Sequence, residues 1–456
     1  MRFEQLKNWL LIGLVALSLL LTWELWTFQP NVARPEGDNL APRETLEGGS
    51  SLSSITDVIT AEKLVVVQGE ESYLIPVDHS AFSDTYQRIF RSNVVVENVI
   101  GYSQQSYPIQ VEQGLELIFP TAIPKSIFAR LFVSEDEGLE IPLDDIDRMF
   151  IYQNPNGSNN MYIQLYSSRS KGIANLRTNI DYHMFEQNVF AIIDEFIPAI
   201  GIKNVEEEQF REQIYIANVP YEGRRSSYIV SSLDISFFQR LLFPVPNSIT
   251  EIRQANGQSI YTDGSRMLTR MTGNNEEFME FRYNVISEEL MSRNIVDSSY
   301  DFINGHNGWT NPYYLADWDS LTEAEAEVDF QLRLGNLPVI MFDGQEGLMD
   351  IKVNRVGGQT SHYSRPLFKV ESSPIDSKQI ELPAGPEVLE FLQQNEFFDV
   401  DKIEKMLIGY EMRSRSPSYI TAEPNWFILY DGRWEKVDIN DQTGSDVTEE
   451  IRDELE

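Results

Sequence analysis

The chain of 456 residues contains no cysteine. Disulfide staples, thiolate nucleophiles and a lipid-modified cysteine as tether are thereby excluded, and a body outside the cell must be held by burial alone. Histidine is nearly as scarce. The four present, His79, His183, His306 and His362, stand at no metal-ligand spacing from one another or from nearby carboxylates, so no zinc site and no cofactor are read from the sequence. Positive charge is short as well: 36 Lys and Arg face 71 Asp and Glu, for a formal net charge of -35. Such a surface repels phosphate backbones, which argues against nucleic acid as a partner.

Long apolar runs are missing with one exception, Trp9 to Phe28, which reads WLLIGLVALSLLLTWELWTF. Twenty residues at a helical rise span about 30 Å, the thickness of a bilayer's hydrocarbon core. Its only charge, Glu24, lies near the far end, where Trp23 and Trp26 flank it as interfacial rings do. A transmembrane helix is therefore predicted over 9–28. Arg2 and Lys7 precede it against a single Glu4, which predicts a cytoplasmic N-terminus and an extracytoplasmic body. A cleaved signal peptide would have a shorter run ending in a small-x-small site, whereas this run ends in Trp26, Phe28, Gln29 and Pro30.

The remaining length suits several domains. Residues 29–60, rich in Pro, Gly, Ser and Glu, read as a flexible stalk. A first domain is predicted over 61–179, from the strands KLVVVQ, SYLIPV, LELIFP, RMFIYQ and MYIQLYS. Asn156-Gly157 between the last two reads as a turn, although it also matches a glycosylation sequon. A second domain, 180–287, opens with a helix from Met184 to Phe196. It continues through strands, a compact amphipathic helix around Phe237, Phe238, Leu241 and Leu242, and a hairpin turning at Asn256-Gly257.

The third predicted domain spans 288–438. It begins with a helix from Glu288 to Phe302, followed by an aromatic loop, WTNPYYLADWDS, leading to Ser320 and Glu323 at capping-box spacing. VDFQLRL and LPVIMF flank Gly335-Asn336 as a hairpin. MDIKVNRV, a loop GGQTSHYSR, the strand PLFKVES, a helix from Glu387 to Asn395, and two final strand runs with a turn at Asp431-Gly432 complete it. Residues 439–456 form an acidic tail. The fold class expected is α+β: one transmembrane helix, then three domains of mainly antiparallel sheet with helices packed on them.

Catalytic fingerprints are lacking. Ser168-Arg169-Ser170-Lys171 matches S-x-x-K, yet neither S-D-N nor K-T-G is present, and Gly172 follows where a helix should begin. Asp317, Asp319 and Glu323 resemble a calcium loop only until Leu321 and Thr322 occupy the ligand and glycine positions. No nucleophile elbow, P-loop or dinucleotide fingerprint occurs, and the reading is of a protein that is not an enzyme. For binding, the loop residues Trp309, Tyr313, Tyr314 and Trp318 offer rings that stack on sugars or that pin the loop to its own core. An extracytoplasmic glycan- or peptide-binding protein is the alternative reading.

Layout and several segments resemble a known family. A single N-terminal helix, an acidic cysteine-free body, and the runs FFQRLLFP, IYTDGSRML, FQLRLGNLPVIMF and IGYEMRSRSPSYITAEPNWFILYDGRW look like the YycH (WalH) family. The resemblance implies a non-enzymatic regulator of the WalK/YycG sensor histidine kinase, acting with YycI in a membrane complex and restraining the kinase. It also implies that the second and third domains are YycI-like and that the transmembrane helix takes part in the contacts. On that helix Gly13, Ala16, Ser18 and Thr22 are small or weakly polar, suited either to close helix approach or to an ordinary lipid-facing surface. Glu24 either pairs with a basic residue of a partner helix or snorkels to water.

Overall fold

The computed structural model describes residues 14, 15, 17, 18, 44–100, 107–109, 111–132, 139–153, 159–203, 212–273, 276–287, 289–342, 349–395, 398–416 and 418–439. Of the run 9–28, Leu14, Val15, Leu17 and Ser18 are helical, and the rest lies outside the described residues. Among the described residues no helix is long and apolar enough to cross a membrane. The turn expected at Asn156 and the tail beyond residue 439 also lie outside them. The chain divides into Met1–Ala41 and Pro42–Glu456, and the sheets are built by the second unit.

Its first strands are β1 (Lys63–Gln68), β2 (Glu71–Leu74), β3 (Val94–Ile100), β4 (Gln113–Pro124), β5 (Asp145–Gln153), β6 (Asn160–Ser167), β7 (Gly172–Asp181), β8 (Ile197–Lys203) and β9 (Gln213–Ala217). They make one antiparallel sheet in the order β3-β7-β6-β5-β4-β1-β2-β8-β9. Between them lie α1 (Ser80–Phe90), α2 (Lys125–Phe128) and α3 (Tyr182–Asn188). His79 starts α1 by accepting from the Ala81 N–H at 3.1 Å. The helix expected over Met184 to Phe196 ends early: Val189 leaves helical geometry and a 3-10 stretch, Phe190–Glu195, takes over.

Then β10 (Tyr221–Ser232) departs, and α4 (Ile235–Leu242) follows, capped by the Asp234 carboxylate on the Ser236 N–H and burying Phe237, Phe238 and Leu242. A further sheet comes from β11 (Thr250–Arg253), β12 (Ser259–Thr262), β13 (Arg266–Gly273), β14 (Glu276–Tyr283), β15 (Tyr313–Ser320), β16 (Glu325–Leu334), β17 (Leu337–Pro338), β18 (Ile351–Val356) and β19 (Gln359–Pro366). Its order is β11-β12-β13-β14-β19-β18-β16-β15, with β17 on β16. The chain returns through β20 (Phe368–Leu382), α6 (Gly385–Gln394), β21 (Ile403–Ser416), β22 (Tyr419–Tyr430) and β23 (Arg433–Lys436); α5 (Ile295–Gly305) lies earlier, between β14 and β15. These last strands recruit β10, in the order β20-β10-β22-β21, with β23 on β22.

Sheet pairing thus runs across the boundary expected at residue 287. Phe281 of β14 pairs with Tyr363 of β19, and Tyr221 of β10 pairs with Leu382 of β20. Several local expectations are also corrected. Helix α5 starts at Ile295, where Asn294 accepts from the Val296 N–H, and not at Glu288. The segment from Ser320 to Glu323 is the turn between β15 and β16, so the capping-box spacing opens no helix. GGQTSHYSR is mostly strand β19. LPVIMF is strand only at β17, after which buried Val339 makes a parallel bridge to Tyr410.

The flexible stalk expected over 29–60 is corrected over 44–60, and residues 29–43 lie outside the described residues. Leu46, Ile55, Val58 and Ile59 are buried, and Ser54 and Asp57 cap a 3-10 turn over Ile55–Val58. The Leu46 N–H donates to the His306 carbonyl at 3.0 Å. The Leu52 N–H donates to Asn304 Oδ1 at 2.6 Å, while its carbonyl accepts from Tyr300 at 3.2 Å. Burial of these four apolar side chains, together with the bonds to Tyr300, Asn304 and His306, folds this otherwise polar stretch onto the body.

Candidate functional site

The aromatic residues singled out by sequence are placed inward. Trp309 is 3% exposed, edge-on to Phe330 at 5.1 Å, with its indole N–H on Asn304 Oδ1 at 3.1 Å. Tyr313 and Tyr314 are buried on β15, and the Tyr314 hydroxyl donates to Gln331. Trp318 is half-buried under Arg169, whose guanidinium lies 4.6 Å from the ring centre. Its indole N–H donates to the Ala122 carbonyl. The first three rings offer no face to a glycan; they anchor the segment, as their area favours.

The anchor is completed by Arg365 of β19, fully buried. Its guanidinium donates to the Gly308 carbonyl at 2.7 Å, Thr310 Oγ1 at 2.8 Å and the Tyr363 hydroxyl at 3.2 Å, and faces the Phe238 ring. His306 sits beside it, its Nδ1 2.7 Å from the Phe302 carbonyl. That contact places the ring proton on Nδ1. Burial, with Arg365 adding repulsion, pushes the imidazole down to about 3.

The other motifs resolve as local structure. Ser168 to Lys171 forms the β6–β7 turn, with Lys171 at φ 52° and its ammonium 2.6 Å from Glu212. His183 and His362 face Glu186 and Glu280, each at 3.1 Å. Of the residues proposed for helix contacts, Ser18 is helical; Gly13, Ala16, Thr22 and Glu24 lie outside the described residues.

What the sequence did not reveal is a cleft of about 640 Å³ where the three sheets meet. Lys63, Asp147, Arg148 and Tyr215 come from the first sheet, Tyr314, Asp329 and Lys352 from the β11–β19 sheet, and Lys405 and Leu429 from the last. The lining combines ion pairs with apolar side chains. Arg148 lies 3.1 Å from Glu116 and donates to the Gln213 carbonyl at 3.1 Å. Burial pushes the Asp147 carboxyl up to about 6 against the opposing pull of Arg148 and the Ser168 N–H. Glu62 and Lys63 pair at 3.4 Å, while Lys405 donates to the Pro120 carbonyl.

One wall is markedly acidic. Asp329 and Lys352 are cross-strand partners on β16 and β18, joined at 3.1 Å, and Asp350 lies just before β18. Burial, then the Asp329 charge, drive the Asp350 carboxyl well above the usual carboxylate range. No sequence spacing announces this site, because its members lie on separate strands that only the assembled sheets bring together.

Fold and cleft define the class: an α+β protein built mostly of antiparallel sheets. The family model described as YycH protein, N-terminal domain, matches residues 4–192, and that described as YycH protein, C-terminal domain, matches residues 211–444. The chain belongs to the YycH family. It is 21% identical over 459 residues to the two-component system WalR/WalK regulatory protein YycH of Bacillus subtilis (strain 168), covering 95% of this chain and 96% of that protein. The crystal structure of YycH from Bacillus subtilis matches with a TM-score of 0.67 at 16% identity, covering 86% of this chain and 99% of that one. That likeness carries the fold.

Proposed function

We propose that this protein is a non-enzymatic regulator of a WalR/WalK two-component system, acting on the sensor kinase WalK/YycG. One observation carries the reading: YycH-family sequence runs along nearly the whole chain, and a relative matched over that length is named as a WalR/WalK regulatory protein. Residues 9–28 anchor the chain in the cell membrane with its N-terminus cytoplasmic, as the length of the run and the flanking Arg2 and Lys7 favour. The body is extracytoplasmic and works with YycI in a membrane complex.

The anchor helix packs against kinase transmembrane helices through small or weakly polar positions drawn from Gly13, Ala16, Ser18 and Thr22, of which Ser18 and Thr22 lie one turn apart on one face, and holds the kinase in its less active state. A regulator must bind two states with different affinity, and a several-fold change in output needs only about 1–2 kcal/mol of coupling. Full-length protein is co-purified with the kinase from membranes, before and after replacing residues 9–28 by an unrelated apolar helix. The replacement is expected to lose the kinase and raise its output. Unaltered output at normal protein levels overturns the mechanism.

A further inference from the structure

We propose that the cleft binds a small alkyl primary amine, whose ammonium group seats against Asp329 and Asp350. Asp350 is 4% exposed and lines the cleft, and its Oδ1 has no hydrogen-bond partner among the described residues. Asp329 Oδ1 is likewise buried and without a partner, its other oxygen being taken by Lys352. Native structures seldom leave buried carboxylate oxygens without donors, and two at one wall mark a place where a donor is missing. Cross-strand pairing of Asp329 with Lys352 fixes the wall before any ligand arrives.

The chemistry of the missing donor follows from the balance of charge. Two carboxyl groups share one lysine; with both ionised the wall is one positive charge short, and a group bearing several N–H donors, such as an alkylammonium, supplies it as Asp350 loses its proton. A divalent cation is a poorer fit. Calcium takes six or more oxygens, whereas Lys352 already occupies one carboxylate, and no cluster of three acidic or histidine side chains among the described residues is placed to hold a metal. Ile118, Phe119, Leu407 and Leu429 in the same lining give an alkyl chain apolar surface to lie on. The volume falls in the range of small-molecule sites. Burial beside Asp329 raises the Asp350 carboxyl, which therefore keeps its proton in the free protein and gives it up when an ammonium is seated there.

The test is calorimetric titration of the purified full-length chain in detergent with n-pentylamine, with pentan-1-ol as neutral isostere and calcium chloride as a third arm. Saturable one-site binding of pentylamine is expected, absent for the alcohol and weakened at least tenfold in both Asp350→Asn and Asp329→Asn. The Asn side chains match the carboxyls in shape, and each variant is first checked for wild-type circular dichroism; if one fails that check, the other carries the comparison. Absence of pentylamine binding, equal binding of the alcohol, unchanged affinity in the folded variants, or binding of calcium alone overturns the proposal. No kinase is present in this assay, so its failure leaves the regulatory reading untouched.

Discussion

Arg148 of β5 and Glu116 of β4 form an ion pair at 3.1 Å, with side chains 12% and 0% exposed. Glu116 also accepts from the Tyr107 hydroxyl at 3.1 Å and the Tyr215 hydroxyl at 2.8 Å, so three donors from different segments converge on one carboxylate beneath the cleft. Removing one member of a buried pair strands the other charge, which costs roughly 3–5 kcal/mol. Arg148→Met is expected to lose stability on that scale in urea denaturation. Glu116→Gln is expected to lose less, because Arg148 keeps the Gln213 carbonyl and Asp147 at 3.9 Å. The reverse ranking would contradict these roles in the network.

The segment from residue 44 to residue 60 behaves as part of the body. A chain beginning at Glu62 loses the burial of Leu46, Ile55, Val58 and Ile59, each worth roughly 1.5–3 kcal/mol for a large apolar side chain. It also uncovers Asn304 and Trp309. Compared with a chain beginning at Pro42, its thermal midpoint is expected to fall by more than about 5 °C. Equal midpoints would show that the segment rides on the surface without holding it.

His306 makes stability depend on pH in a defined direction. Its folded value of about 3 lies below the ordinary 6.5, so an unfolded chain gains a proton as the pH drops past 6.5 while the folded chain refuses it until about 3. Stability therefore falls with falling pH across that window, by at most about 1.4 kcal/mol per pH unit from this residue. The wild type minus His306→Asn difference in unfolding free energy is expected to be flat above pH 7 and to decline toward pH 4. A difference that stays constant to pH 4 would mean the imidazole is not held neutral.

Trp309→Ala removes a ring packed on Phe330 and Tyr300, and a cost of about 3–5 kcal/mol is expected with no change in retention on peptidoglycan. Trp318→Ala, at a half-buried position, is expected to cost less. Unchanged stability with lost retention would return these rings to a binding role.

Local chemistry was legible where the chain turns on itself. Gly335, Gly257 and Gly432 occupy positive φ in the hairpins that Gly-Asn, Asn-Gly and Asp-Gly pairs announced. Distant pairing was not. In β20 the run Ser-Ser-Pro reads as the end of a strand, yet the strand continues to Leu382 with a register shift beside Pro374, because β10 supplies a partner more than a hundred residues away. The cleft was hidden for the same reason: Asp147, Asp329 and Lys405 are unremarkable in their own segments. The apolar residues of 44–60 are too few for a periodic signal, and only their contacts with α5 show that they fold.

The pairing of β10 with β20 and β22 also sets a clock on synthesis. The strand emerges from the ribosome before the β11–β19 sheet exists and its partners come well over a hundred residues later, which at roughly 5–20 residues per second is on the order of ten seconds. Through that interval a twelve-residue strand has neither neighbour. Any factor that escorts the nascent chain has most to do there, and the last sheet can close only after β22 has been made.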